Sequence, residues 1–130
     1  MALRESGEDY IETILVLQRE RGVVRSVDIA QHLGVTKASV SKAMGLLEGQ
    51  GYVEVVKRDV RLTEKGLRHA EAVLERHRFF SDLLVACGVD REVAEEEGCH
   101  MEHILSKDSF EKLRDAAYRC GVVGDGFRDK

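Results

Sequence analysis

Three side chains near the end of the sequence combine types and spacing that could bind a metal ion. Cys99, Glu102 and His103 stand at positions i, i+3 and i+4, so on a helix a thiolate, a carboxylate and an imidazole would face one patch of space. First-row divalent metals accept all three ligand types. The competing interpretation is that the Glu–His pair is a solvated helix face and the Cys a small core residue.

Two further places in the chain offer donors of the same kind. Asp9 and Glu12 are spaced i, i+3 near the start of the first predicted helix. His77 lies far from both clusters and falls on the apolar stripe of a long predicted helix, where a hydrogen-bonded core histidine is the alternative. Together these donors strengthen the hypothesis of a metal site.

A second pattern, about sixty residues earlier, is typical of a DNA-reading module. Ser26 is predicted as the N-cap of a short helix that ends at Gly34, and Thr36 as the N-cap of a helix through Leu47. A short helix, a turn with glycine and a second helix form the helix-turn-helix signature. An ordinary helical hairpin with a polar first turn is the alternative.

The segment that follows favours the DNA-reading interpretation. Residues 51–56 are strand-like, 57–59 form a charged turn and 60–62 return, which predicts the hairpin wing of a winged helix. The residues expected to contact bases or phosphates are the hydroxyl and cationic side chains of the third helix and the wing. They are Thr36, Lys37, Ser39, Ser41, Lys42, Lys57, Arg58 and Arg61.

Helical patterns account for most of the remaining chain. The first helix is predicted from Gly7 to Arg21, with Ile11, Ile14, Leu15 and Gln18 on one side. Thr63 is predicted to cap a long helix to about Cys87, and Asp90 to cap the helix that carries the Cys–Glu–His cluster. Residues 106–108 are expected to break that helix before a last one from Ser109 to Cys120. Three glycines in the tail, residues 121–130, predict a frayed end.

Composition restricts the protein class. The chain has 130 residues, 34% of them charged, with no Pro and no Trp. No apolar run approaches the roughly 20 residues that span a bilayer, and no signal peptide is evident, so no membrane partner is expected. Three scattered cysteines argue against a disulfide framework and for reduced thiols, which predicts a cytoplasmic protein.

The net charge of −4 is unevenly distributed. Residues 19–76 carry eleven Lys or Arg against eight acids, whereas residues 1–18 carry one against four and residues 77–130 eight against twelve. The basic excess therefore falls on the predicted DNA-reading module. The acidic excess falls on the two segments that hold the candidate metal ligands.

The chain resembles the diphtheria-toxin-repressor family of metal-dependent transcriptional repressors, above all its short two-domain branch, the manganese transport regulators. The resemblance covers residues 5–120, and its most specific segments are residues 8–12, 76–77 and 99–106. It implies a mainly α fold, with a winged helix-turn-helix domain at residues 1–70 and a helical metal-binding and dimerisation domain at residues 71–130. No SH3-like domain is expected.

The resemblance also implies a ligand set: Asp9, Glu12, His77, Cys99, Glu102 and His103. Glu95 matches a position that binds an ancillary metal in the iron-dependent branch, but Ser81 replaces a carboxylate of that ancillary site. The manganese branch has a carboxylate at the position of Cys99. Because thiolate is a soft ligand, iron(II) is favoured, manganese(II) is the close alternative, and cobalt(II), nickel(II) or zinc(II) could substitute.

The expected function is that of a metal-activated repressor and not of an enzyme. Loaded with iron(II) or manganese(II), a homodimer would bind double-stranded operator DNA and control metal-uptake genes, as the resemblance implies. One alternative is a winged-helix DNA-binding protein that needs no metal. Another is a metal-dependent hydrolase that uses a glutamate as general base.

Overall fold

The computed structural model describes residues 5–122, and the chain divides after Val73 into two compact units. The division falls within one continuous helix. Its residues up to Val73 belong to the first unit, and its residues from Leu74 onwards belong to the second. The elements in chain order are α1 (Glu5–Arg21), α2 (Ser26–Leu33), α3 (Lys37–Gly49), β1 (Val53–Val56), β2 (Asp59–Leu62), α4 (Glu64–Ala86), α5 (Arg91–Met101) and α6 (Lys107–Arg119). The mainly α fold class with one small hairpin is confirmed. The predicted fraying of the tail concerns residues that, after Val122, lie outside the described range.

The first unit has its core where the helical periodicity predicts it. Ile11 and Ile14 of α1 are fully buried, and Leu15 is buried beside them. Gln18, predicted on the same side, is only half-buried, because the apolar stripe of α1 continues through Leu17. The predicted stripe of α3, formed by Val40, Met44 and Leu47, is buried as well. These residues hold α1 and α3 in one unit with the hairpin.

The helix-turn-helix is formed by α2, the turn after it and α3. Gly34 adopts the left-handed conformation with φ of 68°, which a glycine accepts without steric cost. Thr36 is the N-cap of α3, as predicted, and accepts a hydrogen bond from the Ser39 amide. The prediction of Ser26 as N-cap of α2 is wrong by one position. Arg25 occupies the cap, and its amide donates to the Asp28 carboxylate at 3.0 Å.

The wing is a two-stranded antiparallel hairpin. Val53 is opposite Leu62 and Val56 is opposite Asp59, which leaves Lys57 and Arg58 as a two-residue turn. Asp59 therefore begins β2 and does not belong to the turn that the sequence predicted at residues 57–59. Close to this turn, β2 is fixed to the segment before α2, since the Val60 amide donates to the Val24 carbonyl at 2.8 Å.

The second unit is built on aromatic packing between α4 and α6. The ring centroids of Phe79 and Phe80 are 5.3 Å apart and those of Phe79 and Phe110 are 5.5 Å apart, both in edge-to-face geometry. Such arrangements are the favoured ones for aromatic pairs. Within residues 5–122, no helix is both long enough and apolar enough to cross a bilayer.

Two helices in the second unit begin after residues of the usual N-cap types, Asp90 and Ser106. The predicted break between the last two helices is present, but it lies at residues 102–106 and not at 106–108. Ser106 is the N-cap of α6 and accepts a hydrogen bond from the Ser109 amide at 3.1 Å, so the helix begins at Lys107. Asp90 occupies the N-cap of α5 as predicted, although its side chain makes no capping hydrogen bond.

Candidate functional site

The Cys–Glu–His cluster lies at the carboxyl end of α5. The prediction that one helix carries all three residues is wrong at its end, because α5 stops at Met101 and Glu102 is its C-cap. The chain keeps a helical course for one more turn, since the His103 amide donates to the His100 carbonyl at 3.3 Å in a tighter i to i−3 pattern. The i, i+3, i+4 spacing therefore still brings the three side chains together.

The three side chains form a compact, largely buried group. One ligand atom from each of Cys99, Glu102 and His103 lies within 4.8 Å of the other two. Glu102 is fully buried, and Nε2 of His103 is 3.2 Å from its Oε1. Cys99 is half-buried with its thiol free of any disulfide.

His77 brings a fourth donor to this group from α4. Its Nδ1 lies 3.6 Å from Oε2 of Glu102, while its Nε2 lies 2.9 Å from Oε2 of Glu95. A carboxylate accepts hydrogen bonds, so Nε2 is the nitrogen that donates to Glu95, and Nδ1 is the nitrogen on the side of Glu102 that would offer a lone pair to a metal ion. The structure thus places His77 between two carboxylates of the α5 segment and not simply within an apolar core.

The chemistry of this donor set fits a divalent metal ion. A fully buried carboxylate is costly unless positive charge or hydrogen bonds compensate for it. Around Glu102 the second unit supplies two imidazoles and a thiol, which are ligands for first-row transition metals. The arrangement can therefore hold such an ion.

Asp9 and Glu12 lie one turn apart on α1, in the first unit, and both are half-buried. The residue before them was missed by the sequence analysis. Glu8 is buried, and its Oε2 lies 2.8 Å from Nε2 of His69 on α4. The ring of His69 in turn contacts Tyr52 edge-on at 5.5 Å. Spacing gave no signal for this pair, because 61 residues separate the two partners.

The predicted DNA-contacting residues are all exposed in the first unit. At the start of α3, Thr36 donates to the Ser39 hydroxyl at 2.9 Å in addition to its capping role. The hydroxyls of these two residues are therefore engaged with each other, whereas Lys37, Ser41 and Lys42 project from the same end of the helix without a role in its capping. This surface combines cations with small polar groups.

The wing presents two cations at its tip. Lys57 and Arg58 both have positive φ, 51° and 68°, which matches the type I′ turn of a two-residue hairpin. Below them, Arg61 donates to Asp59 at 2.8 Å, and Asp59 also accepts the Val24 amide at 3.0 Å. The hydrogen bond from Arg61, followed by that from Val24, lowers the pKa of Asp59 below its ordinary value. Asp59 thus ties the wing to the segment before α2.

Comparison with known families matches both units. The family described as iron dependent repressor, N-terminal DNA binding domain, matches residues 2–59. The iron dependent repressor metal binding and dimerisation domain matches residues 63–118.

Individual relatives agree with these matches. The transcriptional regulator MntR of Escherichia coli O6:H1 is 37% identical over 112 residues, which cover 85% of this chain and 72% of that protein. A protein of Methanocaldococcus jannaschii named as an uncharacterized HTH-type transcriptional regulator is 31% identical over 98% of this chain and 99% of its own length.

A solved structure of a manganese-dependent transcriptional repressor in complex with manganese is similar with a TM-score of 0.77 and 27% identity. The similarity covers 85% of this chain and 51% of that one, so this chain spans about half the length of that repressor.

Proposed function

Because this chain belongs to the iron dependent repressor family, a family of metal-dependent transcriptional repressors, we propose that its regulatory metal is bound around the buried Glu102 carboxylate. The family membership predicted from the sequence motifs is confirmed, and so is the prediction of a transcriptional regulator and not an enzyme. The hydrolase alternative loses its support, since the relatives are regulators.

The observation that carries the metal assignment is the environment of Glu102. A fully buried carboxylate with an imidazole nitrogen 3.2 Å away on one side and another 3.6 Å away on the other is a donor arrangement that a cation would complete. When bound, the ion supplies positive charge and binding free energy at this point. His77, Cys99, Glu102 and His103 would hold it from the second unit.

Asp9 and Glu12 are proposed as the ligands from α1, on the strength of their carboxylate chemistry, their one-turn spacing and the family resemblance. Bound metal would shift the population of the protein towards the conformation that it binds best, which we propose is the conformation that binds DNA.

The identity of the ion depends chiefly on Cys99. A thiolate favours iron(II) over manganese(II), and cobalt(II), nickel(II) and zinc(II) are chemically possible substitutes. The family description names iron, whereas the structurally similar repressor is a manganese-dependent one with manganese bound. We propose iron(II) as the favoured ion, with manganese(II) as the close alternative.

Glu95 is better explained by orientation of His77 than by ancillary metal binding. Its Oε2 already accepts from Nε2 of His77, and a second ion there would have to replace this hydrogen bond. Hydrogen-bonded partners of this kind fix the tautomer and ring orientation of metal-binding histidines. The expected ancillary site therefore remains the weaker proposal for Glu95.

We propose that a homodimer binds double-stranded operator DNA through α3 and the wing, in the cytoplasm where the DNA lies, and represses metal-uptake genes. The support is the exposure of the cationic residues Lys37, Lys42, Lys57 and Arg58 on the basic part of the chain. Lysine and arginine at these places suit phosphate contacts. Thr36, Ser39, Ser41 and Arg61 complete the proposed contact set.

Selection from a random-sequence duplex pool tests this function. The protein should enrich a near-palindromic sequence when manganese(II), or iron(II) under anaerobic conditions, is present, and should enrich none in a chelator. Equal enrichment with and without metal would favour the metal-independent DNA-binding protein instead.

A further inference from the structure

α4 and α5 approach each other closely at Ser81 and Gly98. A Cβ atom added to Gly98 would lie 2.8 Å from Oγ of Ser81, 3.0 Å from its amide nitrogen and 3.3 Å from its Cα. Two of these three neighbours are backbone atoms, which cannot rotate away from a new methyl group. An alanine at position 98 would therefore require the backbone of Ser81 to move away by a few tenths of an ångström.

This crossing lies amid the donors of the second unit. On α4, His77 is one turn before Ser81. On α5, Glu95 is three residues before Gly98, Cys99 follows it directly, and Glu102 is one turn after it. The contacts of His77 with Glu95 at 2.9 Å and with Glu102 at 3.6 Å both depend on how closely the two helices pack.

Two features of this helix crossing lower the stability of the fold. Gly98 is a glycine within a helix, where it lowers helix propensity, and it is buried. Ser81 is 1% exposed, and among residues 5–122 its hydroxyl finds no hydrogen-bond partner. A buried hydroxyl without a partner is destabilising. Small residues at this crossing nevertheless permit the close approach.

We infer that the Gly98–Ser81 contact sets the separation of α4 and α5 and thereby positions His77 against the metal ligands of the α5 segment. Gly98 and Ser81 are positioning residues and need not touch the ion. Cys99, Glu102 and His103 follow one another on a single segment and would move together, whereas His77 belongs to the other helix. This inference rests on the proposed metal site and specifies what determines its geometry.

Gly98→Ala tests the inference through metal binding, without DNA. Manganese(II) and cobalt(II) affinities would be measured by calorimetry, and thermal unfolding would verify the fold. We expect affinity to fall by about tenfold or more, as for the loss of other residues that orient metal ligands. Gly49→Ala is the matched control, because Gly49 is also helical and a Cβ there meets nothing within 4 Å.

A double-mutant cycle with His77→Ala separates positioning from general destabilisation. If Gly98 acts through His77, Gly98→Ala should cost almost nothing in the His77→Ala background. An equal loss in both backgrounds would overturn the inference. If Gly98→Ala does not fold, Gly98→Ala with Ser81→Gly removes the closest of the three contacts and takes its place in the same cycle.

Glu102→Gln distinguishes failure of the inference from failure of the metal site itself. If Gly98→Ala binds metal like the wild type while Glu102→Gln does not, the positioning role is wrong and the site stands. If both variants bind like the wild type, the metal site proposed around Glu102 is wrong, and the inference falls with it.

Discussion

Nε2 of His77 lies 2.9 Å from Oε2 of Glu95, and this contact determines which nitrogen of His77 faces the buried carboxylate of Glu102. With the hydrogen on Nε2, the lone pair of Nδ1 is directed to the side on which Glu102 lies 3.6 Å away. Glu95, which lies outside the proposed ligand set, thus orients His77, which belongs to it.

Replacing Glu95 by Ala should weaken metal binding without changing the number of ions bound. The free imidazole could then rotate or change tautomer, and affinity for manganese(II) should fall by about tenfold in calorimetric titration. Glu96→Ala, an exposed neighbour on α5, is the control and should bind like the wild type. Loss of one bound ion in Glu95→Ala would instead identify Glu95 as a ligand of an ancillary metal.

Cys99→Asp should shift metal preference towards manganese(II). The change converts the thiolate to an oxygen donor, so the affinity for manganese(II) relative to iron(II) should rise by about tenfold, or roughly 1.4 kcal/mol. Bound cobalt(II) provides the direct check, because a cobalt–thiolate charge-transfer band in the near ultraviolet should be present in the wild type and absent from the variant. A metal-loaded wild type that lacks this band would make Cys99 a core residue and manganese the better assignment.

Replacing the two residues of the wing turn should stabilise the fold but weaken DNA binding. Lys57 and Arg58 occupy left-handed conformations that side chains of this kind rarely adopt, and Asn-Gly is the preferred type I′ pair. Lys57→Asn with Arg58→Gly should therefore stabilise the fold by about 1 kcal/mol or more. The same change should weaken binding to all DNA sequences and flatten the salt dependence by about one unit per lost phosphate contact.

The control for the wing is Lys112→Asn, an exposed cation of α6 in the second unit, which should leave DNA affinity unchanged. Stability is read from denaturant unfolding and affinity from anisotropy at several salt concentrations. A wing variant with wild-type affinity and salt slope would show that the wing does not touch DNA.

Because of Asp59, the stability of the first unit should fall at acid pH. Because its pKa is lowered on folding, first by the Arg61 hydrogen bond and then by the Val24 amide, the charged form stabilises the fold above its ordinary pKa of about 3.9. That contribution is lost as the pH falls through the lowered pKa. The difference in unfolding free energy between wild type and Asp59→Asn should be constant near neutral pH and shrink below about pH 4.

Urea unfolding followed by circular dichroism at a series of pH values measures this difference. Arg61→Met should reduce the acid dependence, since the Arg61 hydrogen bond is the largest cause of the shift. A difference between wild type and Asp59→Asn that stays the same at all pH values would contradict the role of the charged carboxylate.

Periodicity and caps predicted most of the fold. The stripes of α1 and α3 and the caps at Gly34 and Thr36 follow from local preferences that operate in any context. Errors occurred where a competing local hydrogen bond decided the boundary, as at Arg25, where Asp28 supplies the acceptor, and at Ser106, which caps α6 and does not end α5.

The candidate site was predictable as a set of residue types but not as a geometry. Spacing within one segment predicted that Cys99, Glu102 and His103 lie together. They do so although α5 ends at Met101, because one tighter helical turn follows. The Glu95–His77 contact and the Gly98–Ser81 approach join different helices, so no pattern along the chain encodes them. Along the sequence, Gly98 is distinguished only by its low helix propensity.

We propose that metal bound around Glu102 drives DNA binding. The direct measurement is fluorescence anisotropy of a labelled duplex, selected from the random pool in manganese(II), titrated with protein in metal and in chelator. For the wild type and for Glu96→Gln, metal should raise DNA affinity by roughly fivefold or more, the usual scale of such coupling. Glu102→Gln keeps the buried volume but removes the charge, so its affinity in metal should equal that of the wild type in chelator. A folded Glu102→Gln protein that responds to metal at the wild-type concentration and to the same extent would contradict the account.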